Sequence, residues 1–302
     1  MGWWEAPLND LVEKLGRVPD RYRHFTVTAD EARWRHGVDA DLLGALTDLG
    51  MRCDHVGGAA RYDDLDLANA SLSLRLPSPR SIVMRGWAAA IRTRAAARPT
   101  TYTVSVGALC QHGPADASCS IEASVHLRDH PGIIATGEGP LTLTHHVPAA
   151  KPQVYPQLAP FTELIREVRF HLLPDGLRDD VGFLRETGLA DCALASAYLV
   201  AEAHSRELVA RLSYGLFLSA PYSIVHTWVD LHMDGQWVPF DPHLLNFLVG
   251  WGLIDADEWP PYRSIPGAAC RLGEREFVLA THNGEVLPLS FPTTACDGEY
   301  YL

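Results

Sequence analysis

Three residues that lie far apart in the chain, Cys192, His226 and Asp241, have side chains that together could perform nucleophilic catalysis. In such chemistry a thiolate attacks a carbonyl carbon, an imidazole moves the protons, and a carboxylate holds the imidazole in one tautomer. The three side chains can act only if they meet, so the elements that carry them decide whether this interpretation is sound.

The segment that carries His226 and Asp241 is typical of a β-hairpin. Residues 224–233 and 236–240 are rich in β-branched and aromatic side chains, as strands are. Between them, Asp234-Gly235 favours a two-residue type I′ turn, which needs positive φ at both central positions. Such a turn fixes the pairing of the two strands.

In this register His226 faces His243 and Trp228 faces Asp241, which makes His226 and Asp241 diagonal neighbours on one face. Their Cβ atoms would lie roughly 7 Å apart or less, within reach of a hydrogen bond. We expect Trp228 and His243 to contribute to a substrate site, although a solvent-facing strand end is the alternative for His243. A bulged turn would move one side chain to the other face, and a half-buried hairpin with solvated polar residues is the plain alternative.

The opposite face of the hairpin is the predicted core side. It carries Thr227, Val229 and Leu231, together with Val238 and Phe240, in the period of two that one face of a strand requires.

The segment around Cys192 is typical of a helix start. Asp191 can cap a helix that begins at Cys192, and strong helix formers follow. Unpaired backbone N–H groups and the helix dipole would favour a thiolate there, although a buried structural cysteine is the alternative. From Leu208 onward apolar residues alternate as on a strand. The predicted order is therefore a helix with Cys192, a strand, a strand with His226 and a strand with Asp241.

This combination resembles the transglutaminase-like superfamily, within the papain-like class of cysteine enzymes. The resemblance covers residues 188–242 and is carried by the cysteine at a helix start, the His-x-Trp-Val strand and Trp-Val-Pro-Phe-Asp-Pro. It implies an α+β catalytic core in which a helix packs on an antiparallel sheet. It also implies Cys192 as nucleophile, His226 as general base and acid, and Asp241 as the orienting carboxylate, without a cofactor.

The activity implied is acyl transfer through a thioester between Cys192 and the acyl group. We expect an amide product from a thioester or amide donor, including a thioester on a carrier protein, and an amine acceptor, as in natural-product biosynthesis. A peptidase or amidase that uses water with the same residues is the alternative. The backbone N–H of Cys192 is the natural oxyanion donor, and the sequence identifies no second donor.

The N-terminal part contains a second pattern, in residues 26–75. Thr28 and Glu31 form a capping-box pattern, Gly37 ends that helix and Asp39 can cap the next. The next helix has an apolar stripe of Leu42, Leu43, Leu46 and Leu49. With Arg61-Tyr62 before an acidic helix start, the segment resembles the winged helix-turn-helix of MerR-like and excisionase-like domains. A DNA-binding regulator is therefore a further alternative, and a plain helical subdomain is the simpler one.

Four further elements complete the predicted α+β organisation. A helix is expected over 78–97, and strands are expected over 102–106, 120–127 and 133–144. We predict a helical subdomain over 1–98, a small antiparallel β segment over 99–150 and the catalytic domain over 151–302.

Composition limits the classes of protein to consider. The 302 residues carry a net charge of −12, are 47% hydrophobic and contain no apolar run near the length of a membrane span. Residues 21–98 contain twelve arginines against nine acidic residues and so carry +3, while the remainder carries −15. The net charge argues against nucleic acid as a partner for the whole chain, whereas its uneven distribution leaves a regulatory role of the N-terminal part open.

The cysteines and the N-terminus bear on compartment and metal. Six cysteines without a dense framework, and no export signal, predict reduced thiols and a cytoplasmic protein. Cys110, His112 and Cys119 are close together but lack the second pair that a zinc site needs, so no metal is expected.

Overall fold

The structure is a computed structural model that describes residues 5–94, 96, 98–108, 121–130, 134–136, 141–286 and 288–297. Over these residues the chain is a mixed α+β protein with several antiparallel sheets and one parallel pair of short strands. It forms two compact units, one of Met1–Met84 with Glu167–Ala195 and one of Arg85–Arg166 with Ser196–Leu302. The sequence-based division at residues 98 and 150 into consecutive domains stays a prediction.

The helices of the described residues, in chain order, are α1 (Glu5–Gly16), α2 (Ala29–His36), α3 (Ala40–Asp48), α4 (Asp64–Ser73), α5 (Pro79–Arg94), α6 (Val125–Arg128), α7 (Ala159–Thr162), α8 (Val181–Thr187), α9 (Cys192–Ser205) and α10 (Pro242–Gly250). Single-turn 3-10 helices cover Asp20–Tyr22, Pro156–Leu158, Glu163–Ile165 and Asp175–Leu177.

The strands are β1 (Phe25–Val27), β2 (Asp54–Val56), β3 (Ala59–Asp63), β4 (Thr100–Ser105), β5 (Gly107–Ala108), β6 (Ile121–Ala123), β7 (Ile134–Thr136), β8 (Thr142–Val147), β9 (Arg169–Phe170), β10 (Leu189–Ala190), β11 (Ala210–Phe217), β12 (Ile224–Met233), β13 (Gln236–Phe240), β14 (Ala269–Gly273), β15 (Ala280–His282), β16 (Leu289–Ser290) and β17 (Thr293–Asp297).

The first unit has the helix–helix–hairpin order that the sequence predicts for residues 26–75. Thr28 and Glu31 form the capping box of α2, and Gly37 ends that helix with φ of 72°. The Asp39 side chain caps α3 by accepting from the Leu42 N–H. Strands β2 and β3 form a hairpin that pairs with β1. The predicted helix boundaries in this segment are confirmed.

The core of the second unit lies between two four-stranded antiparallel sheets. One has the strand order β13-β12-β11-β14 and the other β17-β4-β8-β7. Tyr102 and Leu143 from the second sheet share a buried apolar cluster with Tyr214, Leu216 and Cys270 from the first. One face of β11 therefore packs in the core, and the candidate site lies on the other face.

Two predicted strands of residues 99–150 are wrong in detail. The expected strand over 120–127 stops at Ala123, because Ser124 caps the short helix α6 through the Leu127 N–H. The expected strand over 133–144 is two strands, β7 and β8, which pair with each other in antiparallel orientation. Apolar residues alternate in the sequence on both sides of residues 137–140, so periodicity alone did not separate the two strands.

The predicted hairpin of β12 and β13 is confirmed in its register. Asp234 and Gly235 have φ of 51° and 80°, as a type I′ turn requires. Cross-strand pairs run from Met233 with Gln236 to Val229 with Phe240.

The predicted pairing of His226 with His243 is wrong, because β13 ends at Phe240 and α10 begins at Pro242. Asp241-Pro242 is itself a helix-start signal, with a capping residue followed by proline at the first helical position. The expectation of one core face and one open face is also wrong for the centre of β12, where Trp228, Val229 and Asp230 are all buried.

Candidate active site

The candidate site is built around a buried hydrogen bond between His226 and Asp241. The His226 Nε2 atom lies 2.5 Å from the Asp241 Oδ2 atom, and the two residues are 2% and 3% exposed. An imidazole with its Nε2 held by a carboxylate has a fixed ring orientation. This is the pair that the hairpin register predicts as diagonal neighbours.

Asp241 is held in place by the helix that it caps. Its Oδ1 atom accepts a hydrogen bond of 2.8 Å from the Leu244 N–H in the first turn of α10. The carboxylate therefore has one oxygen on the helix and the other on the imidazole. One side chain thus fixes both the start of α10 and the ring of His226.

Three aromatic rings surround the imidazole. The ring centroid of His226 lies 4.8 Å from Trp87 of α5 and 5.6 Å from Phe217 of β11, both in edge contacts. The Trp228 ring is nearly parallel to it, at 6.3 Å and 17°. Trp87 and Phe217 also contact each other, at 4.9 Å. His226 thus lies in an apolar enclosure in which electrostatic interactions are strengthened by the low local dielectric constant.

Trp228 is oriented by a buried carboxylate on the same face of β12. Its Nε1 atom donates to Asp230 Oδ1 at 2.9 Å. Asp230 also accepts from Ser213 and forms an ion pair with Arg211, while Arg271 donates to Ser213. The predicted substrate-binding role of Trp228 stays a prediction, but its indole N–H is already used within the protein.

Cys192 is the first residue of α9 and its free thiol is half-buried. Asp191 precedes it, and its Oδ1 atom accepts a 3.0 Å hydrogen bond from the Leu194 N–H, which is the predicted helix cap. Arg178 pairs with the other carboxylate oxygen at 3.0 Å. Burial raises the pKa of Asp191, and the Leu194 N–H and Arg178 oppose that rise.

The residues just before α9 belong to a short pair of parallel strands. Strand β10, immediately before Asp191, pairs with β9, and the Arg169 N–H donates to the Gly188 carbonyl at 2.8 Å. Gly188 itself ends α8 with φ of 67°. The backbone is therefore fixed on the N-terminal side of Cys192 as well as within the helix.

One turn after Cys192, α9 is bonded to the strand that carries His226. The Ser196 hydroxyl donates to the Thr227 carbonyl at 3.2 Å, and Ser196 is buried. Thr227 directly follows His226 in β12. This polar bond between helix and strand was not predicted from the sequence.

His243, predicted to bind substrate from the strand, is instead a buried residue in the first turn of α10. Its role in binding stays a prediction. Among the described residues, no cluster of three or more His, Cys, Asp or Glu side chains is arranged to hold a metal ion. Cys110, His112 and Cys119 lie outside the described residues.

Trp87, Phe217 and Asp230 are parts of the site that were not predicted from the sequence. Phe217 stands on the predicted strand after Leu208, two residues beyond the position that pairs with His226, so the register between β11 and β12 would have identified it. Trp87 lies in a helix more than a hundred residues before Cys192, and no local pattern connects it with the hairpin. Only the tertiary structure reveals it.

Comparisons with known proteins add little to what the geometry of the site shows. No protein-family profile and no curated protein matches the chain. A crystal structure described as a "Putative Cysteine Protease from Cytophaga hutchinsonii" matches at 12% sequence identity, covering 68% of this chain and 87% of that chain, with a TM-score of 0.32. A TM-score this low does not establish a common fold. Among the described helices, none has both the length and the apolar character that crossing a bilayer requires.

Proposed function

We propose that the chain is a cysteine-dependent acyltransferase in which Cys192, His226 and Asp241 form the catalytic triad. The observation that carries the proposal is the buried 2.5 Å hydrogen bond between His226 and Asp241 inside an aromatic enclosure. Stability alone does not require a buried His–Asp pair of this kind, since packed apolar residues would serve as well. It is the arrangement that a general base requires.

The assignment of Cys192 as nucleophile is supported by the bond between α9 and β12. Cys192 precedes Ser196 by one helical turn, about 6 Å along the axis, and Ser196 bonds the residue that follows His226. This connection joins α9, which begins at Cys192, to the strand that carries His226. The helix cap at Asp191 fixes the first turn that carries the sulfur.

In the proposed reaction the Cys192 thiolate attacks the carbonyl carbon of the donor, and the carbonyl π electrons move to oxygen. The tetrahedral intermediate collapses with release of the donor thiol or amine, which takes a proton from His226 Nδ1, and a thioester to Cys192 remains. The acceptor amine then attacks the thioester carbon and loses a proton to His226. Collapse of this second intermediate breaks the C–S bond, which releases the amide and restores the Cys192 thiolate. Asp241 keeps Nε2 occupied throughout and stabilises the imidazolium.

The enclosure of His226 favours transfer to an amine over hydrolysis. Trp87, Phe217 and Trp228 cover the imidazole, and its 2% exposure leaves little access for bulk water. An acceptor that brings its own binding energy can displace the water that remains, whereas water itself cannot. The donor we propose is an acyl thioester, including one on a carrier protein, and the acceptor is a small amine.

The test is product analysis after incubation of the protein with acyl thioesters of increasing chain length, with and without a panel of primary amines. Amide that forms only in the presence of both wild-type protein and amine supports transfer. The Cys192→Ser variant is the matched control, because it changes one atom. Release of the acyl group as free acid at the same rate whether or not amine is present would instead identify a hydrolase.

The charge of α3, the helix that would enter a groove of DNA, does not support the DNA-binding alternative for residues 26–75. Helix α3 contains Asp41 and Asp48 and no lysine or arginine, whereas phosphate contacts need basic side chains. The arginines of α2 include Arg35, which is paired with Asp64. A salt-dependent shift of duplex DNA by the wild-type chain would be needed to support this alternative.

A further inference from the structure

An arginine side chain lies on the same face of the sheet as His226, within the second unit. Arg271 of β14 stands opposite Gly215 of β11, and Gly215 stands opposite His226 of β12. Residues opposite each other on neighbouring strands share a face of the sheet. The backbones of Arg271 and His226 are two strand spacings apart, about 10 Å, and the glycine between them carries no side chain.

A buried carboxylate, Asp230, is shared by two guanidinium groups on this face. Its Oδ2 atom accepts from Arg211 Nε and Nη2 at 3.1 and 3.0 Å and from the Ser213 hydroxyl at 2.8 Å. Arg271 Nε lies 3.9 Å from the same oxygen and donates to Ser213 Oγ at 3.1 Å. The cluster of two half-buried guanidiniums and one buried carboxylate therefore has one positive charge in excess.

The other carboxylate near Arg271 belongs to Glu274 and is weakly held. Arg271 Nη2 lies 3.4 Å from Glu274 Oε1, which is longer than the roughly 2.7–2.9 Å of a strong charge-assisted bond. The Glu274 side chain is 75% exposed, and an ion pair as exposed as this contributes little stability. Among the described residues, the Arg271 Nη1 atom has no hydrogen-bond partner. The outer edge of the guanidinium is thus accessible to a better acceptor.

The excess of positive charge is unfavourable in the free protein. Burial and the neighbouring Arg211 guanidinium lower the pKa of Arg271, against the opposing effect of two nearby carboxylates. The Arg271 side chain is 29% exposed, so a ligand can reach it from solvent. A carboxylate would supply the missing negative charge, and its two oxygens match two parallel N–H groups of a guanidinium.

We propose that the acceptor amine carries a carboxylate, and that Arg271 binds this carboxylate through Nη1 and Nη2 while the amine lies at His226. The proposal rests on the proposed function, since it needs His226 to receive the proton of the acceptor amine. The substrate class is an ω-amino acid, with a primary amine at one end, a carboxylate at the other and a chain that spans from imidazole to guanidinium. The ligand carboxylate displaces that of Glu274, and no covalent bond changes at Arg271.

A carboxylate bound by Arg271 is remote from the reacting atoms, so its charge is the same in the ground state and in the transition state. Uniform binding of this kind changes KM for the amine and leaves kcat unchanged. A change in the alignment of His226 would lower kcat instead. The two kinetic parameters therefore separate a substrate-binding role of Arg271 from a structural one.

The experiment measures amide formation from one acyl thioester with ω-amino acids from glycine to 6-aminohexanoate, each compared with its neutral primary amide. The variants are Arg271→Gln and Glu274→Gln. Arg275→Gln is the matched control, because it removes an exposed positive charge just beyond β14. Ratios between variant and wild type cancel the intrinsic reactivity of each amine, and the neutral amides report any general loss of fold or activity.

We expect KM for the preferred ω-amino acid to rise about 10–100-fold in Arg271→Gln, with kcat unchanged and KM for its neutral amide within about twofold of wild type. Glu274→Gln is expected to lower KM for the same acid about two- to fivefold, because the competing carboxylate is removed. Arg275→Gln is expected to behave like the wild type with every amine.

Equal rises in KM for acid and neutral amide would overturn the proposal in favour of a structural role of Arg271. An equal effect of Arg275→Gln, or a preference for acids that is independent of chain length, would overturn it in favour of a diffuse positive field. No amide from the wild type with any amine would overturn the proposed function. Isothermal titration of the ω-amino acids into the unacylated protein then decides the site by itself: binding at least tenfold weaker in Arg271→Gln supports it, and equal binding overturns it.

Discussion

Asp241 has two separable tasks at the scale of a single residue. One carboxylate oxygen caps α10 through the Leu244 N–H, and the other holds the imidazole of His226. Asparagine is as good a helix cap as aspartate, but its neutral amide does not stabilise an imidazolium. The two tasks can therefore be measured apart.

Asp241→Asn is expected to keep the fold and lose the chemistry. We expect the acylation rate to fall by about 10⁴, the loss seen when asparagine replaces the aspartate of a serine protease triad. Asp241→Ala removes the cap as well and should lower the free energy of unfolding by about a further 1 kcal/mol. Urea unfolding and acylation kinetics on both variants make the comparison. Near wild-type acylation by Asp241→Asn would show that the carboxylate does not orient the base.

The orientation of the Trp228 side chain depends on a buried network of polar residues. The Asp230 carboxylate binds the Trp228 N–H and the Ser213 hydroxyl and pairs with Arg211. Its charge is compensated, as buried carboxylates require. The indole is thereby fixed nearly parallel to the imidazole, with 17° between the ring planes.

At the scale of elements, the sheet beneath the site depends on close approach of β11 and β14. A Cβ atom at Gly215 would lie 2.0 Å from the Cys270 carbonyl oxygen and 2.9 Å from the Leu272 nitrogen. The pairing of the two strands shifts register at this point. Gly215 is also the residue opposite His226 on β11, so the close approach lies at the strand position that pairs with His226.

Gly215→Ala is expected to lower the free energy of unfolding by about 3 kcal/mol, because backbone atoms have to move to accept the methyl group. Gly44→Ala is the control, since Gly44 lies inside α3 with open space around the position that the new methyl group would take. It should raise the free energy of unfolding by about 0.5–1 kcal/mol through helix propensity. Urea unfolding measures both, and equal effects of the two substitutions would refute the close approach.

Elements with strong local signals were predictable from the sequence. The turn at Asp234-Gly235 and the cap at Thr28 each fix backbone geometry within a few residues, so their strands and helices appear where expected. Asp241 is the instructive exception. Its side chain meets His226 as the register predicts, yet it does so from a helix cap, because Asp-Pro starts a helix more strongly than it continues a strand.

The parts of the site that were not predictable depend on packing between distant segments. The bond between Ser196 and Thr227 and the contact between Trp87 and His226 have no periodicity or motif in the sequence. A lone serine in a helix and a lone tryptophan in another are more often plain packing residues. Their meaning comes from their neighbours in space.

At the scale of the whole molecule, each compact unit is assembled from two separated segments of chain. In the first unit the Asn69 side chain donates to the Leu172 carbonyl and accepts from the Leu172 N–H. Arg23 forms a buried pair with Asp66 in the same region. His171, next to Leu172, is buried beside these groups in a small cavity that Arg23, Asp66 and Asn69 also line.

These buried groups predict a pH dependence of stability. Burial, together with repulsion from Lys14, Arg23 and Arg17, lowers the pKa of His171 to about 3. The unfolded chain, with a pKa near 6.5, binds the proton more tightly between these values, so His171 lowers stability as the pH falls from about 6.5 to 3. Burial raises the pKa of Asp66 to about 6, despite opposition from Arg23. Asp66 therefore has the opposite sign and lowers stability as the pH rises from about 3.8 to 6.

His171→Leu is expected to reduce the loss of stability between pH 6.5 and 3, and Asp66→Asn is expected to steepen it. Urea unfolding at pH intervals across that window gives the slopes for both variants and the wild type. If the free energy of unfolding fell equally with pH in His171→Leu and in the wild type, protonation of His171 would not be the cause of the acid destabilisation of this unit.

The most direct test of the central claim is the intact mass of the protein after brief exposure to an acyl thioester, in the wild type and in His226→Gln. A triad predicts one added acyl group on the wild type, mapped to Cys192 and absent from Cys192→Ser, with its formation slowed about 10³-fold or more in His226→Gln. Acylation of Cys192 at the same rate with and without the imidazole, or acylation spread over the other cysteines, would contradict the account.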